Sequence, residues 1–83
     1  MMEIQISLEA ARVNIGYSQI EASEKFGVHH QTLAKWEKDN SKMGYNYIEK
    51  IPEIYSIPTD NIFFGNRNEF IRYLKKNEFN NEK

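Results

Sequence analysis

The stretch that decides the fold runs from Gln19 to Lys38 and reads QIEASEKFGVHHQTLAKWEK. These twenty residues hold a helical pattern, a short turn that opens at Gly27, and a second helical pattern. Two helices at this spacing are typical of a pair that crosses at about 90 to 120°. Gly27 can take the positive φ that such a turn needs, and Ser23 is small enough to let the helices approach closely. The sequence therefore predicts two crossed helices in the middle of the chain.

Capping residues mark where each of the two helices begins. Ser18 and Glu21 have the spacing of a capping box, in which each side chain bonds the backbone amide of the other residue. The second helix is expected over about His30 to Lys38, with His29 at its cap position. Because histidine is a poor substitute for serine or aspartate there, we expect the first turn to be held less firmly.

Apolar residues lie on the inner side of both helices. Ala22 and Phe26 are one turn apart in the first helix, and Val28, Leu33 and Trp36 return to nearly the same side of the second. Trp36 is therefore expected in the core. The outer side of the second helix is left to His30, Gln31, Ala34, Lys35 and Lys38. The pattern predicts a helix-turn-helix whose second helix presents a polar face.

Further helices are predicted on both sides of this pair. Ser7 and Gly16 can begin and end a short helix before it. A fourth helix, with a kink or a fresh start at Pro52, is expected over the apolar residues Tyr47, Ile48, Ile51, Ile54 and Tyr55. A last short helix is expected over Asp60 to Phe64. Residues 66–83 form a polar tail that can hold a short amphipathic helix.

Length and composition limit the class of protein. The chain has 83 residues, of which 40% are apolar, and this is enough for one small core and one domain. Without cysteine it has no disulfide, no thiolate zinc site and no cysteine nucleophile. No stretch has the length and apolar character of a membrane span or a signal peptide. We therefore expect a soluble, cytoplasmic protein.

The charge of the chain is nearly balanced but unevenly distributed. The formal net charge is −1, which argues against a polycationic coat for nucleic acid. Residues 29–42 are the exception, because three lysines there stand against Glu37 and Asp39, a net charge of +1. Any contact with DNA is thus expected to be local.

Many residues along 7–65 stand at the spacing of a known regulator family. They are Leu8, Ala11, Arg12, Gly16, Ser18, Gln19, Ala22, Ser23, Phe26, Gly27, Val28, Thr32, Leu33, Trp36, Glu37, Ile57 and Asp60 to Gly65. In these positions the sequence resembles the DNA-binding domains of phage repressors and Cro proteins, often called the Xre family. The resemblance implies an all-α fold over residues 1–65, a compact bundle of about five helices like the lambda repressor DNA-binding domain. It also implies sequence-specific binding of double-stranded operator DNA, usually by a homodimer.

The resemblance assigns base reading to the outer side of the second helix. Gln31 and His30 match positions that reach base edges, and a glutamine amide suits adenine because it can accept from N6 and donate to N7. Lys35 matches a position from which an ammonium favours guanine. Ala34 offers a methyl group that can meet the methyl group of thymine.

The resemblance also assigns residues that position the protein without reading sequence. Gln19 matches a glutamine that contacts a DNA phosphate and braces the recognition helix. Arg12 and Glu37 match the internal ion pair that ties the first helix to the end of the recognition helix. Further phosphate contacts are expected from Thr32, Lys38, Asn40 and Lys42.

The two adjacent histidines do not form a metal site. His29 and His30 lack a third ligand at helical spacing, so no metal is expected, and no cofactor, small-molecule substrate or enzymatic site is indicated. Phe70, Tyr73 and Leu74 can form a dimer contact, a cap over the preceding helix, or a frayed tail. These three roles remain open.

Two functions compete with a Cro-like or stand-alone phage or prophage repressor. The first is a modulator that keeps the fold but binds a partner repressor through Ile20 and the aromatic residues of the tail. The second is the antitoxin of a toxin–antitoxin pair, which also binds an operator. The resemblance favours the repressor, the net charge of −1 modestly favours the modulator, and a neighbouring toxin gene would identify the antitoxin.

Overall fold

A computed structural model describes residues 5–81, with side chains described as far as residue 76. The expected all-α fold is confirmed, and residues within this range pair as β-structure only in two isolated bridges. No helix in the range is both long and apolar enough to cross a membrane. In chain order the helices are α1 (Leu8–Ile15), α2 (Gln19–Phe26), α3 (His30–Lys38), α4 (Tyr45–Ile48), α5 (Ile51–Tyr55) and α6 (Arg67–Asn81).

The ends of α1 and α2 follow local signals in the sequence. The Ser7 hydroxyl accepts a hydrogen bond from the Ala10 amide at 3.0 Å, so it caps α1. Ser18 and Glu21 form the predicted capping box at the start of α2, with bonds of 3.1 and 2.9 Å. Gly27 ends α2 in the left-handed conformation at φ 77°, which turns the chain toward α3.

The core is centred on Phe26. Its ring meets Trp36 edge-on at 5.9 Å and Tyr55 edge-on at 5.5 Å, measured between ring centroids. These contacts join α2, α3 and α5, and each fully buried large apolar side chain contributes about 1.5–3 kcal/mol to folding. The buried cluster consists of Leu8, Ala11, Ala22, Phe26, Leu33, Met43, Ile51, Tyr55 and Ile62.

The predicted break in the fourth helical segment is present. α4 ends at Ile48, and α5 begins three residues later at Ile51. Pro52 is the second residue of α5, where a missing amide leaves no helical hydrogen bond unmade. The proline therefore starts a helix here instead of kinking one.

The predicted helix over Asp60 to Phe64 is wrong. A single 3₁₀ turn covers Thr59–Asn61, and the chain then runs extended. Ile62 forms a parallel bridge with Ile6, whose amide donates to the carbonyl of the last turn residue at 2.7 Å. Phe63 donates to the Ile6 carbonyl at 2.9 Å. Partners far away along the chain thus satisfy the backbone groups that a helix would have paired locally.

The tail beyond Gly65 forms α6, a helix of 15 residues. Phe70 is buried and stacks on Phe63 with ring centroids 4.4 Å apart. The chain measures 45 × 24 × 23 Å, and a helix of 15 residues spans about 22 Å. The division of the chain into 1–65 and 66–83 remains a prediction.

Candidate nucleic-acid interface

The two sides of α3 have opposite environments. On the inner side Leu33 is fully buried, Glu37 is buried and Trp36 is half-buried. The outer side faces solvent, with Ala34 half-buried among exposed neighbours. Those exposed residues are His30, Gln31, Lys35 and Lys38. The polar face that the sequence predicted is therefore free to meet a partner.

The first turn of α3 is held by a histidine. His29 precedes the helix, and its Nδ1 accepts a hydrogen bond from the Gln31 amide at 3.1 Å. The expected weak cap position thus carries a cap bond to one of the free amides of the first turn. The ring of His29 also stacks on His30 at 4.3 Å with 29° between the planes. Both contacts fix the segment from which His30 and Gln31 project.

A buried hydrogen-bond network ties α3 to α1 and α2. Arg12 Nε lies 2.6 Å from Glu37 Oε2, and Arg12 Nη2 donates to Glu37 Oε1 at 3.3 Å. The hydrogen bond that Arg12 donates to Glu37 raises the pKa of Arg12 and keeps the guanidinium charged. Arg12 Nη1 also donates to the Tyr17 carbonyl at 2.8 Å. The end of α3 is thereby fixed against the first helix.

Gln19 extends the same network from the start of α2. Its Nε2 donates to Glu37 Oε1 at 2.9 Å, and the side chain is half-buried. One carboxylate therefore accepts from both Arg12 and Gln19. This shared partner holds Gln19 beside α3 at the edge of the exposed face.

Asn40 corrects the expected set of phosphate contacts. Its side chain is only 3% exposed. The Nδ2 group donates to the Phe63 carbonyl at 3.2 Å, and Oδ1 accepts from the Gly65 amide at 2.8 Å. Both ends of the amide are committed inside the chain, so Asn40 anchors the segment before α6. Its partners lie 23 and 25 residues away, which left no local signal in the sequence.

The other predicted phosphate contacts lie at or near the surface. Lys38 and Lys42 are exposed, and Thr32 is half-buried. Asp39 is also exposed, and hydrogen bonds from the Ser41 side chain and amide lower the pKa of its carboxyl group.

The surface of residues 29–42 is more positive than its formal charge. Glu37 is buried against Arg12, so its charge is neutralised within the protein. The exposed charges that remain are Lys35, Lys38 and Lys42 against Asp39. This burial leaves an excess of two positive charges on a short surface, the sign needed to attract phosphates.

A comparison with protein families supports the same interpretation. The family model described as Helix-turn-helix matches residues 8–62, which covers α1 to α5 and the following 3₁₀ turn. A search of curated proteins gave no match. The matched span exceeds half of the 83 residues. The chain therefore belongs to the Helix-turn-helix family of the Cro/C1 type and is a DNA-binding transcription regulator.

Proposed function

We propose that this chain is a Cro-like or stand-alone phage or prophage repressor that binds a two-fold operator as a homodimer. The α3 helices of the two copies enter successive major grooves, about 34 Å apart. The observation that supports this most strongly is the exposed polar face of α3, opposite its fully buried Leu33. A rigid helix with one free polar face can present side chains to base edges.

The base-reading residues are assigned from their positions on the exposed face of α3. Gln31 is exposed in the first turn and is assigned to adenine, while Lys35 lies one turn later and is assigned to guanine. His30 is exposed beside Gln31 and reaches a neighbouring base edge. Ala34 is half-buried, so its methyl group suits an apolar contact with thymine.

The phosphate contacts surround this group. Lys38 and Lys42 supply exposed ammonium groups, and Thr32 supplies a hydroxyl near the surface. Gln19 is oriented by Glu37, so it meets the backbone with little loss of side-chain freedom. Asn40 is left out of this set because its amide is occupied within the chain.

Selection of bound sequences from random DNA, with the full chain at about 50 and 200 mM salt, tests this proposal. We expect a two-fold symmetric sequence and a loss of affinity of roughly a thousandfold between the two salt concentrations. Gln31→Ala is expected to relax preference at one position per half-site by about 1–3 kcal/mol. An unchanged preference in this variant would show that α3 is not the reader.

Lys42→Ala is the matched control for Gln31→Ala. It removes an exposed cation without touching the first turn of α3. We expect weaker binding to all sequences alike and a smaller salt dependence, since a phosphate contact carries no sequence information. A change in base preference would show that Lys42 contacts a base as well as a phosphate.

A second candidate function is favoured by Ile20, which is 59% exposed at the start of α2. An apolar side chain in this place suits contact with another protein, such as a partner repressor. A pull-down and a selection from random DNA together distinguish the two functions. A modulator captures a neighbouring repressor in a pull-down and selects no sequence from random DNA, whereas an operator-binding protein gives the converse result.

A further inference from the structure

The cap of α3 differs chemically from the caps of α1 and α2. Ser7 and Ser18 cap those two helices through hydroxyl groups, which stay neutral at ordinary pH. α3 is capped by His29, whose Nδ1 accepts from the Gln31 amide at 3.1 Å. Histidine is the side chain whose charge ordinarily changes between about pH 5 and 8. Among these three helices, the cap that can gain a proton in this range is therefore that of α3.

The cap bond requires a neutral His29. An imidazole nitrogen accepts a hydrogen bond only when it carries no proton, so this bond needs the tautomer protonated on Nε2. A proton on Nδ1 turns the acceptor into a donor, and this donor then faces the Gln31 amide, which is also a donor. Protonation of His29 therefore removes the bond that closes the first turn of α3.

Protonation also adds like charges at the start of α3. The amino end of a helix carries a partial positive charge, and the first turn of α3 has no acidic residue to offset it. The rings of His29 and His30 stack with centroids 4.3 Å apart, so two protonated rings repel each other. Because both side chains are exposed, solvent screens this repulsion, and the lost cap bond is the larger effect.

No carboxylate compensates for a charge on these rings. The ion pairs and side-chain hydrogen bonds of the described residues join neither ring to an acidic group. The charged residues nearest along the chain are Glu24 and Lys25, near the end of α2, and Lys35 within α3. Lys25 lies over the Tyr17 ring, with Nζ 5.0 Å from the ring centroid. The state of the cap therefore depends on the two histidines themselves.

The loosened turn carries residues assigned to base reading. His30 and Gln31 are the first two residues of α3, whereas Leu33, two residues later, is fully buried and anchors the rest of the helix. Loss of the cap is thus confined to the turn that presents Gln31. A side chain on a frayed turn must be ordered again when it meets a base edge, which weakens recognition.

We propose that His29 is a positioning residue, which holds Gln31 for base reading while neutral and releases the first turn of α3 when protonated. This role rests on the operator binding proposed above. An imidazolium near DNA also attracts phosphates, but that gain is the same for all sequences. The two effects separate in the ratio of operator affinity to affinity for random DNA, and this ratio is expected to fall in acid.

A pH series on the full chain tests the proposal. Binding to the selected operator and to a random duplex, from about pH 8 to 5.5 at one salt concentration, gives the affinity ratio. His29→Ser keeps a capping side chain without a titrating group, and His29→Ala removes both. His30→Asn removes the other imidazole and leaves the cap in place. NMR of the Gln31 amide in the free chain follows the cap bond without DNA.

We expect the affinity ratio of the unmodified chain to fall about fivefold from pH 8 to 5.5, with a parallel change in the Gln31 amide shift. His29→Ser is expected to keep a high ratio throughout, and His29→Ala a low ratio throughout. His30→Asn is expected to start from a lower ratio and to keep the fall in acid.

Three results would overturn the role of His29 while operator binding stands. They are a ratio that does not change with pH in the unmodified chain, an equal fall in His29→Ser, and a fall that disappears in His30→Asn. If no sequence is selected at any pH, the proposed function fails, and the role of His29 in base reading fails with it.

Discussion

The helix-turn-helix and α6 are built in contrasting ways. α2 has a complete capping box, and α2 and α3 bury one side of each helix against the core. α6 buries Phe70 and leaves three large apolar side chains exposed. The helix-turn-helix is held in place by contacts within one chain. α6 is held to the domain mainly through Phe70, and its large apolar side chains beyond that residue are exposed.

This difference indicates where substitutions act. In the helix-turn-helix, a change is expected to alter the free energy of unfolding, because its partners are buried in the same molecule. On the exposed side of α6, a change is expected to leave the free energy of unfolding nearly unchanged. Paired substitutions in the two regions test this contrast.

The largest expected effect is on the ion pair beneath α3. Glu37→Ala leaves the buried Arg12 guanidinium without its carboxylate and is expected to cost about 4 kcal/mol in the free energy of unfolding, measured by urea denaturation. Arg67→Ala removes the exposed bridge from α6 to Glu9, 3.2 Å long, and is expected to cost under about 1 kcal/mol. Equal losses of stability in Glu37→Ala and Arg67→Ala would contradict the contrast between the two regions.

A control for the ion pair is the double replacement of Arg12→Met with Glu37→Leu. It removes both buried charges, so much of the stability lost in Glu37→Ala is expected to return. Such a chain would still lack the carboxylate that holds Gln19. We therefore expect it to fold and to bind DNA more weakly.

Next in size is the same substitution made in both regions. Leu33→Ala opens a cavity in the core and is expected to cost about 3 kcal/mol of stability. Leu74→Ala, on the exposed strip of α6, is expected to cost less than about 0.5 kcal/mol. Circular dichroism during thermal unfolding measures both. A large loss at Leu74 would show that α6 is an integral part of the core.

The smallest effect is expected at Tyr55. Its hydroxyl is buried with no hydrogen-bond partner among the described residues, and burial raises the pKa of this group well above its ordinary value of 10. Tyr55→Phe is expected to be neutral or to stabilise by up to about 1 kcal/mol at pH 7. The wild-type chain must hold the hydroxyl neutral above about pH 10, so the advantage of phenylalanine should grow there. If the difference in stability between the wild-type chain and Tyr55→Phe stayed constant across pH, the Tyr55 hydroxyl would not be buried as described.

The sequence predicted most of the helix-turn-helix because its signals are local. Ser18 and Glu21 are three residues apart, and Gly27 and Leu33 act within the same short stretch. The identity of each residue limits its own backbone or its immediate neighbours. The exposed face of α3 follows directly from this pattern.

Features that depend on distant partners were missed. The bridge joins Ile6 to Ile62, which lies 56 residues further along the chain, so the local pattern over Asp60 to Phe64 predicts a helix instead. Asn40 looked like a surface polar residue because its partners, including Gly65, lie far along the chain. The cap by His29 is local, since its Nδ1 accepts from the amide of Gln31, and whether it holds the first turn less firmly than serine would stays a prediction.

An NMR titration of the full chain with a duplex carrying one half-site tests the central claim most directly. A single half-site binds one copy, so DNA contacts are separated from any contact between copies. We predict the largest shifts at His30, Gln31 and Lys35, with α6 almost unaffected. Shifts concentrated on α6, with the outer face of α3 unchanged, would contradict the account.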